Sequence, residues 1–111
     1  MRIETERIGA TLFVQINGEL DLHTSPAFKE TVEEKLIQYD FIKHLVIDFT
    51  NVEFIDSSGL GVILGRFKHM TQRGGRLSAI NVSAPLRKVF ELSGLLRIMG
   101  IYDDRRQAMG S

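Results

Sequence analysis

Apolar and polar positions change their period several times along this chain, and each change marks an element. Ile3 to Ile8 and Thr11 to Asn17 are strand-like, and Gly9-Ala10 between them suits the tight turn of a hairpin. Gly18-Glu19-Leu20-Asp21 then leaves the second strand. Thr24 or Ser25 offers a helix N-cap, Pro26 fits the first turn, and Phe28, Val32, Leu36 and Tyr39 share one helical face. Leu45 to Phe49 is a short run of β-formers, as expected for a buried strand, and it leads through Phe54 and Ile55 to Asp56.

From Asp56 the period becomes helical and holds as far as Gly74-Gly75. At about 100° per residue, Leu60, Ile63, Leu64, Phe67, Met70 and Thr71 fall on one side, which is predicted to face the core. Ser58 projects roughly opposite, in line with Val62, Gly65 and His69, whereas Ser57 lies nearer the edge of the stripe. On this reading Ser58 is the better exposed serine. Asp56 is a favoured N-cap, and capping alone would account for it; two adjacent serines followed by Gly59 and Gly61 exceed what a cap needs. Arg76 to Val82 reads as a further strand. Ser83 and Pro85 open a helix through Leu86, Val89 and Phe90 that stops near Gly94, and the tail from Asp103 is polar, either a short helix or a mobile end.

Strand and helix alternate from residue 11 onward, which predicts an α/β fold: a mixed sheet with parallel crossovers. Partners or ligands should then meet the loops at the strand carboxyl ends, where Gly18 to Asp21 and Asp56 to Gly59 are expected together. The 111 residues fit one domain spanning the whole chain. Fourteen basic residues balance 14 acidic ones, so the footprint of a nucleic-acid binder is missing. With no cysteine, no secretory signal and no apolar run of about 20 residues, the expected setting is the cytoplasm, with no membrane partner.

Three chemistries lack residues that they require. Gly59, Gly61 and Gly65 stand at a helix start, yet neither the dinucleotide spacing nor the Walker lysine is present, so no cofactor is expected. A small serine esterase would place a nucleophile at a strand-to-helix turn, but G-x-S-x-G is missing and only His23 among the three histidines shares the loop end; no catalytic residue is assigned. No two histidines or acids have metal-ligand spacing, so no metal is expected. A phosphoacceptor uses every feature: a hydroxyl, small neighbours that admit another protein, and a helix end that tolerates negative charge.

Gly18-Glu19-Leu20-Asp21, the run Phe54 to Arg66, Gly74-Gly75 and Leu92-Ser93-Gly94-Leu95 together resemble the bacterial anti-sigma factor antagonists, whose domain is called STAS. The serine motif is most similar to the sporulation branch, which acts on the anti-sigma F factor. The resemblance implies a mixed sheet of four to five strands flanked by helices, and a phosphorylation-controlled partner switch. The unmodified protein binds an anti-sigma factor that is also a serine kinase and so frees the sigma factor. The kinase phosphorylates the second serine of the motif, Ser58 here, and a serine phosphatase reverses this. Asp21 would contact the partner, and Asp56 and Ser57 would support the acceptor turn. On the helical-face reading above, Val62, Gly65 and His69 continue the exposed face and, with Gly59 and Gly61, would complete the partner surface. A stress-response antagonist or a scaffold STAS subunit is the alternative with the same fold.

Overall fold

The computed structural model describes residues 1–110. Two strands, β1 (Arg2–Ile8) and β2 (Thr11–Asn17), form the hairpin across Gly9-Ala10 with regular antiparallel register from Arg2 opposite Asn17 to Ile8 opposite Thr11. Helix α1 (Ser25–Gln38), strand β3 (His44–Asn51), helix α2 (Ser57–Gln72), strand β4 (Arg76–Ile80) and helix α3 (Ala84–Ser93) follow in alternation. A short 3-10 turn at Leu95–Arg97, a strand β5 (Gly100–Tyr102) and a helix α4 (Arg105–Met109) close the chain. The five strands form one sheet in the order β1-β2-β3-β4-β5, antiparallel only at the hairpin and parallel from β2 to β5.

Both faces of the central strands are covered, which is why β2 and β3 read as nearly continuous apolar runs. Leu12, Val14, Ile16, Leu45, Ile47, Phe49, Leu77 and Ala79 face the main core with Phe28, Val32 and Leu36 of α1, Ile63 and Met70 of α2, and Leu86 and Phe90 of α3. Phe49 and Phe90 meet edge to face at 5.3 Å, a geometry that aromatic quadrupoles favour. On the opposite face Phe13, Val46 and Ile80 form a second cluster with Ala108 of α4. Arg105 anchors that small helix by stacking over the Phe13 ring at 4.4 Å and pairing with Glu6 at 2.5 Å.

Local signals place the helix ends. Ser83 caps α3 by accepting from the Leu86 amide at 3.3 Å, and α3 stops at Gly94, whose φ of +84° suits a residue without a Cβ. Asp104 caps α4 through the Gln107 amide, so the polar tail does start a helix. Thr24 is the residue before α1, as expected, yet its hydroxyl turns back into the preceding loop instead of capping the helix.

Candidate functional site

Because β2 and β3 run parallel, the chain leaves both at the same sheet end, and the two connections continue side by side beyond the sheet. Gly18 donates to the Asn51 carbonyl at 3.2 Å, Leu20 bridges Ile55, and the Asp56 amide returns to the Leu20 carbonyl at 3.4 Å. Gly59 lies directly against this seam: a Cβ there would stand 2.4 Å from the Leu20 carbonyl oxygen and 2.7 Å from the Ile55 side chain. Only glycine lets α2 begin so close to the Leu20 strand extension.

Asp56 joins the two connections. Its Oδ1 accepts from the Gly59 amide at 3.0 Å, closing the start of α2, and its Oδ2 accepts from the Leu22 amide at 3.0 Å. Asp21 organises the loop on the other side. Its Oδ1 accepts from the amides of His23 at 2.9 Å and Thr24 at 3.1 Å, while the Thr24 hydroxyl accepts from the Asp21 amide and donates to the Glu19 carbonyl. The Thr24 amide above all, with His23, holds the Asp21 carboxyl below its usual range against a smaller opposing effect of desolvation. The loop so built projects Leu22, which is 66% exposed, and the neighbouring connection projects Phe54, 56% exposed. Two large apolar side chains are thus held in water beside a pair of hydroxyls, an arrangement that favours contact with another protein.

The two serines do not sit as the apolar stripe predicts. Ser57 is the exposed one and Ser58 is half-buried. The most buried positions of α2 are Gly59, Ile63, Arg66 and Met70; Leu60 and Phe67 of the predicted stripe pack partly against the core, as does Val62, while Leu64 and Thr71 are exposed. The helix is rolled by about 70° from its apolar stripe at 100° per residue, which puts Ser57, Gly61, Leu64 and Lys68 on the outer ridge. Two residues outside the hydrophobic pattern cause this. Gly59 permits close approach, and Arg66, with its side chain 5% exposed, pairs with Glu33 of α1. His69 Nδ1 lies 3.5 Å from the same Glu33 oxygen. Burial opposes ionisation of Glu33, but the hydrogen bond and charge of Arg66, with His69 and Lys29, outweigh it and hold the carboxyl below its usual range. Ser58, Val62, Gly65 and His69 do share a flank, as expected, but it is the flank turned toward α1.

The STAS domain pattern matches residues 2–108. The chain belongs to the STAS family. It is 41% identical to an anti-sigma F factor antagonist of Paenibacillus polymyxa across 98% of this chain and 92% of that one. It is 38% identical to an anti-sigma-B factor antagonist of Listeria monocytogenes across 78% and 74% of the two chains. Among solved structures, the Bacillus cell fate determinant SpoIIAA in its phosphorylated form matches with a TM-score of 0.74 at 28% identity, covering 98% of this chain and 97% of the other.

In this STAS domain Asp21, Asp56, Ser57, Ser58 and Gly59 converge at one sheet end, and Gly61 and Gly65 follow with open space where a side chain would be. Of the three histidines only His23 lies at this end, as expected, its amide donating to Asp21 Oδ1. His69 lies about 16 Å along α2 from Ser58 at 1.5 Å per residue. His44 begins β3 at the opposite sheet end, buried, with Nε2 2.7 Å from the Ser78 hydroxyl. Among the described residues no histidine hydrogen-bonds either serine, and no cluster of histidines and acids has the form of a metal site. Among the described residues no helix is long and apolar enough to cross a membrane. Leu22, Phe54 and Glu33 are the site-forming residues that sequence reasoning missed. Phe54 stood in the motif, but its exposure depends on the course of the loop.

Proposed function

We propose that this STAS protein is a partner-switching regulator of transcription, controlled by phosphorylation of Ser58. The unmodified form binds an anti-sigma factor that is also a serine kinase and releases the sigma factor; the phosphorylated form lets go until a serine phosphatase restores it. The carrying observation is the first turn of α2, where two hydroxyls stand on an Asp56-sealed helix start beside the exposed Leu22 and Phe54. That is a surface for a protein and an end that tolerates phosphate. Ser58, and not the more exposed Ser57, is the acceptor because it matches the second serine of the family motif. Asp21 and Asp56 shape the turn, Gly61 and Gly65 keep the helix smooth for the partner, and Val62 and His69 border it on the α1 side. The fuller coverage of the sigma F relative favours sporulation over a stress-response or scaffold role. The setting is the cytoplasm, without a nucleic-acid or membrane partner.

The energetics favour a switch at the interface. Phosphate at the helix start gains about 0.3 to 1 kcal/mol from the macrodipole. A partner carboxylate about 4 Å away would oppose each unit of charge by up to about 4 kcal/mol at intermediate dielectric. The complex therefore loses more than the fold gains. Incubation with ATP and the cognate anti-sigma kinase should place one phosphate on Ser58, read by peptide mass spectrometry and abolished in Ser58→Ala. Ser58→Asp should melt near the parent and bind the anti-sigma factor at least about tenfold more weakly. Phosphate found on Ser57, or a Ser58→Asp variant that binds as tightly as the parent, would defeat the assignment.

A further inference from the structure

Between α2 and the end of α3 lies a cavity of about 330 Å³, open to solvent and lined by Leu60, Gly61 and Leu64 on one wall and Ser93, Leu95 and Ile98 on the other. Among the described residues no charged side chain lines it. Leu64 is 38% exposed at its mouth, and Gly61 has nothing within 4 Å of where a Cβ would stand, so the α2 wall is open from above. The outer ridge of α2 leads there from the acceptor turn: Ser57, Gly61 and Leu64 are successive exposed positions of one face. At 1.5 Å per residue, Gly61 is about 6 Å and Leu64 about 10 Å beyond Ser57. A standard interface covers about 800 Å² on each partner, a disc of about 16 Å radius. A footprint of that size centred on the first turn of α2 reaches this cavity too.

We infer that the groove between α2 and α3 is the anchor pocket of the anti-sigma interface and receives an apolar side chain from the protein that covers Ser58. This rests on the function proposed above. The occupant is apolar because the walls offer no charge, and it comes from the same partner because the groove is continuous with the acceptor turn. The docked protein thus runs along the outer ridge of α2 toward α3, with Leu22 and Phe54 at the opposite margin of its footprint.

Leu64→Lys places a charge at the mouth and Ser93→Phe fills the groove from the other wall; both positions are exposed, so folding should persist. Ile37→Lys, an exposed apolar position on α1, controls for loss of surface hydrophobicity. Calorimetric titration with the purified anti-sigma factor, alongside thermal melts, should show at least tenfold weaker binding for Leu64→Lys and Ser93→Phe. Ile37→Lys should stay within twofold of the parent. If the parent binds and Ser58→Asp does not, while both groove variants bind as the parent does, the groove assignment alone fails. A parent that does not bind the anti-sigma factor sinks both this inference and the function beneath it. Sedimentation of the parent alone is the remaining check: self-association abolished by Leu64→Lys would make a second copy the occupant and overturn the assignment.

Discussion

Asp56 is placed to do two jobs with one carboxylate, and its substitutions should separate them. One oxygen caps α2 through Gly59 and the other holds the Leu22 amide, each at 3.0 Å. Losing an N-cap costs about 1 kcal/mol, and losing a hydrogen bond to a charged acceptor on a partly hydrated loop costs about another 1 kcal/mol. Asp56→Ala should therefore lose about 2 kcal/mol. Asp56→Asn keeps one acceptor oxygen; with that on Gly59 its NH₂ group faces the Leu22 N–H, donor against donor, and about 1 kcal/mol is lost. Asp56→Ser retains the cap but is too short for Leu22, so it should resemble Asn. Equilibrium urea unfolding resolves these steps, since 1 kcal/mol moves the midpoint by about 0.7 M when the slope is about 1.5 kcal/mol/M. Amide hydrogen exchange supplies the local reading: the Leu22 amide should lose protection in all three variants, and the Gly59 amide only in Ala. An Asp56→Ala variant within about 0.5 kcal/mol of the parent, or unchanged Leu22 exchange in Asp56→Asn, would refute the bridge.

Burial first, and then the charge of Arg76, push His44 down from its ordinary 6.5 to about 4. The folded protein therefore favours neutral His44, and this contribution is complete above about pH 6.5 and lost as pH falls toward 4. The stability difference between parent and His44→Gln, from urea melts at several pH values, should shrink by up to about 3 kcal/mol across that window; a constant difference would show that His44 does not titrate this way. Gly59→Ala drives a Cβ into the Leu20 carbonyl and should cost about 1 to 3 kcal/mol. Gly61→Ala meets open space and should instead stabilise α2 by up to about 1 kcal/mol. Thermal melts giving the two glycine variants the same sign would contradict the close approach at Gly59.

Much of this molecule was legible from local chemistry. The hairpin at Gly9-Ala10, the Asp56 and Ser83 caps and the Gly94 stop each follow from residues within a turn of one another, where propensity and capping act. β5 escaped this reading because three residues carry no period, and the sheet alone, pairing it with β4, makes Gly100–Tyr102 a strand.

The sequence by itself determined that β2, β3 and α2 exist and that Asp21 and Ser58 belong to one loop cluster, because alternation of strand and helix brings those ends together. The tertiary structure decided which way α2 faces. An apolar stripe measures hydrophobicity only, whereas the roll of a packed helix also answers to close backbone contact and buried ion pairs. Gly59 under the Leu20 carbonyl and Arg66 against Glu33 turned the helix, exposing Ser57 and Leu64 and drawing Ser58 toward α1. Those contacts join residues more than 30 positions apart, and no periodicity within α2 encodes them.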